Sequence, residues 1–410
     1  MADTNFESLR TAVNNEIDGA NRDLRQHINQ ALHQHPETAY KEVFAHDSIT
    51  KFLEDRGFTV KRSNYGLATS FEAEVGSSGR LVIICAEYDA LPQIGHACGH
   101  NLIATSSIAA FLGAAAALKQ SGTPGRLRIL GTPAEEGGGG KAKLIDAGAF
   151  KDDVSAAIMA HPLCQHQLSY ESGTYSGLAA MKMIASHKFR TEFHGKTAHA
   201  ANEPWNGVNA LDAAVAAYSS VGLLRQQMKP DERVHAVIED GGTVPNVIPE
   251  YTRMNWNVRS PTLSGADKLL ARVKACIEAA ATATGCEVTY SFAPTYSNLI
   301  ANKALCETYV DEMESIGEKV LLRQDKPITA STDMGNVSHV VPSFHGAFAI
   351  PADLDVSLHN PKFAAAASTD DAHEIALKCA KGLAMLATRV LLDGELATRA
   401  RCDFEHNAQW

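Results

Sequence analysis

The chain has 410 residues, of which 45% are hydrophobic and 20% charged, a balance typical of a folded globular protein. Its length exceeds what one hydrophobic core usually supports, so we expect two domains. The formal net charge of -10, with no basic tract to offset it, argues against nucleic acid as a partner.

The sequence carries few signals of cellular compartment. The first residues are polar and acidic, without the basic and apolar regions of a leader peptide. No uninterrupted apolar run reaches the roughly 18 residues of a membrane-spanning helix, so no membrane association is predicted. The 8 cysteines are scattered without paired spacing, which favours reduced thiols and a cytoplasmic location.

The N-terminal part is predicted to be mainly helical. Apolar spacing indicates a surface helix over 6–32 and a second helix over 44–56, followed by a strand at 58–62. His33 and His35 lie between the two helices, before a proline. We interpret them as part of a solvated helix end and leave them out of the predicted site.

Three short apolar runs follow, at 80–86, 125–130 and 156–160, and each has the length and bounding turn residues of a buried strand. Helices are predicted over 102–118, after the first strand, and over 141–147, after the second. This alternation predicts an α/β domain with a mixed, mostly parallel sheet flanked by helices.

Each of the three strands ends next to side chains that can bind a metal ion. In an open α/β sheet the carboxyl ends of parallel strands form the edge where sites are found. A further candidate follows a strand predicted at 344–350. The predicted site residues at this edge are Cys98, His100, Glu135, Glu136, His161 and His359.

The pattern changes between the third and last of these strands. Strands and helices alternate there in the ferredoxin-like order strand–helix–strand–strand–helix–strand. We therefore predict an inserted α+β domain over 183–294, between the two parts of a catalytic domain at 1–182 and 295–410. Helices at 301–316 and 371–392 complete the second part.

The candidate side chains supply thiolate, imidazole and carboxylate, the ligands of zinc and related ions. Five ligands and a spare carboxylate exceed the need of one tetrahedral ion and suit two ions about 3.5–4 Å apart, sharing a bridging ligand and a water. One glutamate of the adjacent pair would coordinate metal, and the other would take a proton from the metal-bound water. Such a site can attack a carbonyl and stabilise the resulting oxyanion.

The sequence resembles the dinuclear metallohydrolases that include aminoacylases, glutamate carboxypeptidases and plant auxin–amino acid conjugate hydrolases. The resemblance covers nearly the whole chain. It rests on ordered motifs: Asp89-Ala90-Leu91-Pro92, His96-Ala97-Cys98-Gly99-His100, Pro133-Ala134-Glu135-Glu136, His194-Gly195-Lys196 with Ala198-His199-Ala200, Gly241-Gly242 with 246–249, and His359 with Phe363.

The resemblance implies a role for each matching residue. Glu135 would be the general base, and Asp89 would orient a ligand histidine. The inserted domain would act as a lid and form a homodimer contact. The implied metal ligands are Cys98, His100, Glu136, His161 and His359, and the implied substrate-binding residues are His199, Asn246 and Arg259, the last as a clamp for a carboxylate.

Two positions depart from the family pattern. Asn101 stands where the auxin-conjugate branch usually has aspartate, and the sequence at 96–104 is more similar to the branch with dipeptidases for basic or β-alanyl dipeptides and aminobenzoyl-glutamate hydrolases. Glu87 stands where many relatives have a metal-binding histidine. Because of both departures, the resemblance does not identify the substrate.

The resulting hypothesis is a metal-dependent hydrolase that cleaves an amide in an N-acyl amino acid or dipeptide-like substrate with a free carboxylate. Two divalent ions are expected, with zinc first and manganese or cobalt as alternatives. Three other interpretations stay open: amide synthesis at the same site, a binding protein that kept the fold, and a hydrolase with Cys98 as nucleophile.

Overall fold

A computed structural model describes residues 6–151, 153–170, 173–324 and 328–406; residues 1–5, part of the polar start discussed above, lie outside the described residues. The strands are β1 (Val60–Arg62), β2 (Phe71–Val75), β3 (Leu81–Ala86), β4 (Arg126–Gly131), β5 (Val154–Cys164), β6 (Ser169–Tyr170), β7 (Gly173–Thr174), β8 (Gly177–Ala180), β9 (Ala185–His194), β10 (Arg233–Asp240), β11 (Tyr251–Ser260), β12 (Glu287–Phe292), β13 (Val320–Arg323) and β14 (Ser343–Ile350).

The α-helices alternate with these strands over most of the chain. They are α1 (Phe6–Leu24), α2 (Ala31–Gln34), α3 (Val43–Asp55), α4 (His100–Ser121), α5 (Gly140–Asp146), α6 (Ala210–Leu224), α7 (Leu263–Thr284), α8 (Lys303–Glu314), α9 (Met334–Ser338), α10 (Pro361–Ala367), α11 (Asp370–Leu392) and α12 (Gly394–Glu405). Side-chain caps fix several of their starts, as where Asn209 accepts from Leu211 N and Thr369 accepts from Ala372 N.

The chain forms two compact units. Unit 1 comprises Met1–Lys182, Leu299–Pro327 and Asn336–Trp410, and unit 2 comprises Met183–Asn298 and Ile328–Gly335. The prediction placed 328–335 in the second part of the catalytic domain. In the structure this segment joins unit 2 because Met183 pairs with Ile328 and Ile184 N donates to Ala330 O at 3.0 Å.

Unit 1 is built on one eight-stranded sheet in the order β1-β2-β4-β3-β5-β14-β8-β13. The central strands β4, β3, β5 and β14 are parallel, whereas β1, β2 and β4 pair antiparallel, as do β14 and β8. The predicted mixed, mostly parallel sheet is therefore confirmed. The short strands β2, β8 and β13, which were not predicted, extend it on both sides.

One local prediction about this sheet is wrong. The third strand was predicted to stop at His161 and Pro162 but continues to Cys164. His161 pairs with Ala347 of β14, and Pro162 pairs with Phe348. The backbone N–H of Ala157 donates on the side of β14. The N–H groups of successive residues in a strand point to opposite sides, so the nitrogen of Pro162 faces the β3 side. Pairing with β3 on that side ends at Ile158, so the missing N–H of proline costs no hydrogen bond of the sheet.

Helix α4 lies at the centre of unit 1, where it packs with α1, α11 and β5. Within the described residues it is the one helix whose length and composition would allow it to cross a membrane, but 94% of its most apolar window is buried inside the structure. Its apolar composition is that of a core helix with no water-facing side.

Unit 2 has an antiparallel sheet in the order β10-β11-β9-β12, with α6 and α7 packed against it. Alternate residues of β11 are buried, so one face of the strand supplies the core. The core residues include Phe189, Trp256, Ala214 and Val273. The predicted ferredoxin-like order of the inserted domain is confirmed.

Candidate metal centre

The loop between β3 and α4 brings Cys98 and His100 to the end of β5. Gly99 has φ +79°, and a Cβ at this position would lie 2.5 Å from Cγ of Pro162, so only glycine allows this approach. His100 begins α4, and Cys98 Sγ lies 3.3 Å from His161 Nε2. The predicted ligands of the first and third strand ends are thus in direct contact.

Asp89 connects the histidine loop to the glutamate turn. Its Oδ1 is 3.0 Å from His100 Nδ1, and its Oδ2 accepts from Glu136 N at 2.9 Å. This contact leaves Nε2 of His100 directed at the cluster, a position compatible with the orienting role that the resemblance implies for Asp89.

The glutamate turn and the C-terminal loop complete the cluster. Glu136 Oε1 lies 3.2 Å from His359 Nε2, and His359 N donates to Ala97 O at 2.9 Å. Three ligand groups result, each with donor atoms within 4.8 Å of one another: Cys98 with His100 and His161, Cys98 with Glu136 and His359, and His100 with Glu135 and Glu136. The structure therefore brings all six predicted strand-end residues together, and the Cys98 thiol belongs to two of the groups.

Charges in this cluster are strongly coupled. Burial raises the pKa of the Cys98 thiol well above its ordinary value, and the Glu136 carboxylate adds to the effect. Burial lowers the pKa of His161 to about 4. For His100 burial also acts downward, but the Asp89 carboxylate outweighs it and raises the pKa. Burial acts upward on Glu136, yet its contact with His359 and the field of His100 lower the pKa to about 2.

The donor set fits divalent cations. His100 Nε2 is buried and has no hydrogen-bond partner in the part of the chain that the structure describes. Glu136 Oε1, which is also buried, lies 3.9 Å from it and 3.2 Å from His359 Nε2. Buried polar atoms are costly to leave unpaired, and a cation between such a nitrogen and such an oxygen would satisfy both.

A second buried pair borders the cluster and has no counterpart in the predicted site. Lys141, at the start of α5, forms an ion pair with Glu87, and both side chains are almost fully buried. Burial acts upward on the pKa of Glu87, but the Lys141 ammonium and nearby imidazoles lower it to about 2. His345 is also buried, with its ring centroid 6.2 Å from that of His161. A lysine after four glycines was the one sequence signal for this pair.

In unit 2, His199 and Asn246 lie in neighbouring loops. Ala200 N donates to Asn246 O at 3.0 Å. Nδ1 of His199 accepts from the backbone N–H groups of Ala201 and Asn202, at 3.2 and 3.1 Å. The neutral ring therefore carries its proton on Nε2, which is free to donate to an oxygen from this exposed side chain.

Arg259 lies at the opposite end of the same sheet. Tyr251, at the end near His199, pairs with His194, whereas Arg259 pairs with Ser186, and the strand between them spans roughly 27 Å. The Arg259 guanidinium donates to Ser331 Oγ at 3.1 Å, and among the described residues it forms no ion pair. The three predicted substrate-binding residues of this unit thus fall into two separate places.

The chain is similar to known proteins over almost its whole length. The model of peptidase family M20/M25/M40 matches residues 83–384. The chain is 40% identical to a Xaa-Arg dipeptidase of Mus musculus, over 98% of this chain and 94% of the mouse protein. It is 27% identical to a p-aminobenzoyl-glutamate hydrolase chain of Escherichia coli, over 94% of this chain and 92% of the bacterial one.

A solved structure shares the fold over almost its whole length. A dinuclear metal-binding peptidase of family M20 from Bacillus subtilis superposes with a TM-score of 0.64 at 21% identity, covering 94% of this chain and 99% of the other. The family model alone spans well over half of the sequence, and the mouse relative spans nearly all of it. The chain therefore belongs to peptidase family M20/M25/M40 and is a metal-binding hydrolase of amide bonds.

Proposed function

We propose that this enzyme uses two divalent ions to hydrolyse a dipeptide or N-acyl amino acid that has a free carboxylate. The observation that carries the proposal is the overlap of the three ligand groups, in which Cys98, His100 and Glu136 each belong to two, with the Glu135 carboxylate beside them. A ligand common to two groups is what a bridged pair of ions needs.

In this proposal, Cys98, His100 and His161 would hold one ion, and Cys98, Glu136 and His359 would hold the other. The soft thiolate and the imidazoles favour zinc, with manganese and cobalt as the alternatives. When bound, the ions would polarise the scissile carbonyl and make water more acidic.

Glu135 is then the group that moves the proton. It lies in the same group as His100 and Glu136, and the proposed ligand sets of the two ions do not include it. It accepts a proton from the attacking water and delivers it to the nitrogen that leaves. The alternative of a Cys98 nucleophile is disfavoured, because burial raises the pKa of the thiol and suppresses the reactive thiolate.

We assign substrate binding to unit 2. Arg259 is partly buried without a carboxylate partner among the described residues, so a carboxylate of the substrate would satisfy it bidentately. His199 donates from Nε2 to the carbonyl oxygen under attack, and Asn246 provides an amide beside it. The mouse relative is named for Xaa-Arg dipeptides, so dipeptides with a C-terminal basic residue are the first substrates to test.

The distance between His199 and Arg259 in unit 2 also supports a homodimer. Two residues span at most about 7 Å, so one dipeptide cannot touch His199 and Arg259 of the same chain, which lie at opposite ends of β11. We propose that each site receives Arg259 from its own chain and His199 from the partner. Helix α6 exposes Val215, Tyr218 and Leu223, apolar side chains that suit an interface.

A cytoplasmic location completes the proposal. All eight cysteines lie in the described residues and carry free thiols, as expected in a reducing compartment.

The function is tested by Glu135→Gln on metal-quantified protein. We expect turnover of Xaa-Arg dipeptides to fall by at least about 100-fold with metal content unchanged, because the variant keeps the ligands and loses the base. Glu314→Gln, an exposed carboxylate on α8, is the matched control and should behave as wild type. Normal turnover by the Glu135 variant would refute the assignment of the base.

A further inference from the structure

We propose that Glu42, a residue between α2 and α3, is a positioning residue that fixes the catalytic turn at Glu135 and Glu136. This inference rests on the proposed role of Glu135 as general base. Glu42 lies 92 positions before the turn, and its carboxylate accepts a hydrogen bond from the backbone N–H of Ala134 at 2.9 Å.

Ala134 is held in an unfavourable backbone conformation. Its φ is +63°, in the left-handed region that residues with a Cβ rarely adopt. Such a conformation persists where surrounding contacts impose it, and it is typical of functional sites. Ala134 directly precedes Glu135, so its backbone angles determine where the Glu135 carboxylate points.

Glu42 is itself held in place by further hydrogen bonds. It is fully buried, its Oε1 also accepts from Tyr40 N at 2.9 Å, and its Oε2 accepts from Thr69 Oγ1 at 2.8 Å. Three donors from three separate segments therefore converge on this carboxyl group. A side chain with this many partners cannot shift without breaking several contacts, so it provides a rigid anchor for the Ala134 amide.

The same N-terminal segment also forms a hydrogen bond with the C-terminal part of the turn. The Tyr40 hydroxyl donates to Gly138 O at 2.6 Å. Within the turn, Gly138 N and Gly140 N both donate to Ala134 O, at 3.1 and 3.3 Å. These bonds tie the end of the turn to Ala134, and Glu42 ties Ala134 to the rest of unit 1. Without Glu42, Ala134 could relax to an ordinary conformation and carry the Glu135 carboxylate with it.

The test compares three variants of the metal-loaded enzyme. Glu42→Ala removes the anchor, and we expect kcat to fall by about 100-fold, the cost of a displacement of about 1 Å, with KM and metal content within about threefold of wild type. Glu42→Gln should keep kcat within about threefold, because its amide oxygen still accepts from both backbone N–H groups and its NH2 can donate to the Thr69 hydroxyl.

Glu37→Ala is the matched control. Glu37 lies in the same segment, and its carboxylate accepts from Phe44 N and Ala45 N at the start of α3. This variant should lower the melting temperature and leave kcat unchanged, since its side chain has no hydrogen bond to the catalytic turn. It separates loss of stability from loss of positioning.

The result that overturns the inference is a Glu42→Ala enzyme whose kcat stays within threefold of wild type. If Glu42→Ala does not fold, Glu42→Met, which fills the space without an acceptor, replaces it under the same criterion. Failure of both to fold would show a purely structural role and also overturn the inference. An inactive Glu135→Gln with a fully active Glu42→Ala would refute the positioning role alone, whereas an active Glu135→Gln would refute the proposed function.

Discussion

The burial of Glu42 leads to a pH dependence of stability that can be measured. Burial raises the pKa of this carboxyl from 4.5 to about 7, and its hydrogen bonds and the nearby Asp89 only modify that effect. Below pH 4.5 the carboxyl is protonated in both the folded and the unfolded chain. Between pH 4.5 and about 7 only the folded chain keeps the proton, and above about 7 the folded chain must bury the carboxylate.

The sign follows from this proton balance. Because the folded state binds the proton more tightly, the contribution of Glu42 to stability is fully present below pH 4.5 and is lost as pH rises through about 7. A shift of this size corresponds to about 3 kcal/mol of unfolding free energy. Glu42→Gln carries no titratable group at this position, so its stability lacks this component.

The assay is the melting temperature of the wild type and of Glu42→Gln from pH 4.5 to 8, with a chelator present so that metal binding does not contribute. We expect the variant to gain on the wild type as pH rises, by roughly 6 °C in total for a unit of this size. A difference that is constant with pH would refute the raised pKa. A wild type that gains on the variant with rising pH would show that the folded protein favours the carboxylate.

Three further experiments test the site. Metal binding at pH 7 should release protons, because the raised pKa of Cys98 keeps the thiol protonated without metal. Calorimetry in buffers of different ionisation enthalpy measures this release, and we expect a smaller release for Cys98→Ser. Equal proton release by the variant and the wild type would contradict a thiolate ligand. Arg259→Gln should raise KM about 10-fold or more for a free dipeptide with little change for its C-terminal amide, and an equal effect on both would exclude the carboxylate clamp. Mixing inactive Glu135→Gln and His199→Ala chains should restore about a quarter of wild-type activity. Half of the randomly formed dimers contain one chain of each kind, and one of the two sites in such a dimer is complete. No recovery of activity would exclude exchange of His199 between chains.

The fold and the meeting of the candidate ligand residues were predictable because they depend on short-range patterns. The central strands contain short apolar runs, and two of them are closely followed by a predicted site residue, β3 by Asp89 and β4 by Glu135. Parallel strands place their carboxyl ends at one edge whatever the rest of the chain does. Residues more than 200 positions apart, such as Cys98 and His359, could therefore be assigned to one site without any knowledge of their contact.

The predictions that were wrong or incomplete depend on neighbours that local sequence does not reveal. The end of β5 was misplaced because the rule that proline stops a strand assumes a partner on both sides, and at Pro162 the β3 side is open. Lys141 was predicted only as a helix start, since nothing near it in the sequence identifies Glu87 as its buried partner.

Glu42 is another residue whose role depends on neighbours that the local sequence does not reveal. Its sequence context, a glutamate just before a helix, predicts an exposed carboxylate at a helix N-terminus, and its side chain makes no cap bond there. It is buried instead because β4 brings the Ala134 amide, and the loop before β2 brings Thr69, to the same point. A metal ligand can be recognised from its own chemistry, whereas a positioning residue is defined by the group it holds. Since the strained conformation of Ala134 needs such a partner, the backbone of the catalytic turn is the feature from which Glu42 can be found.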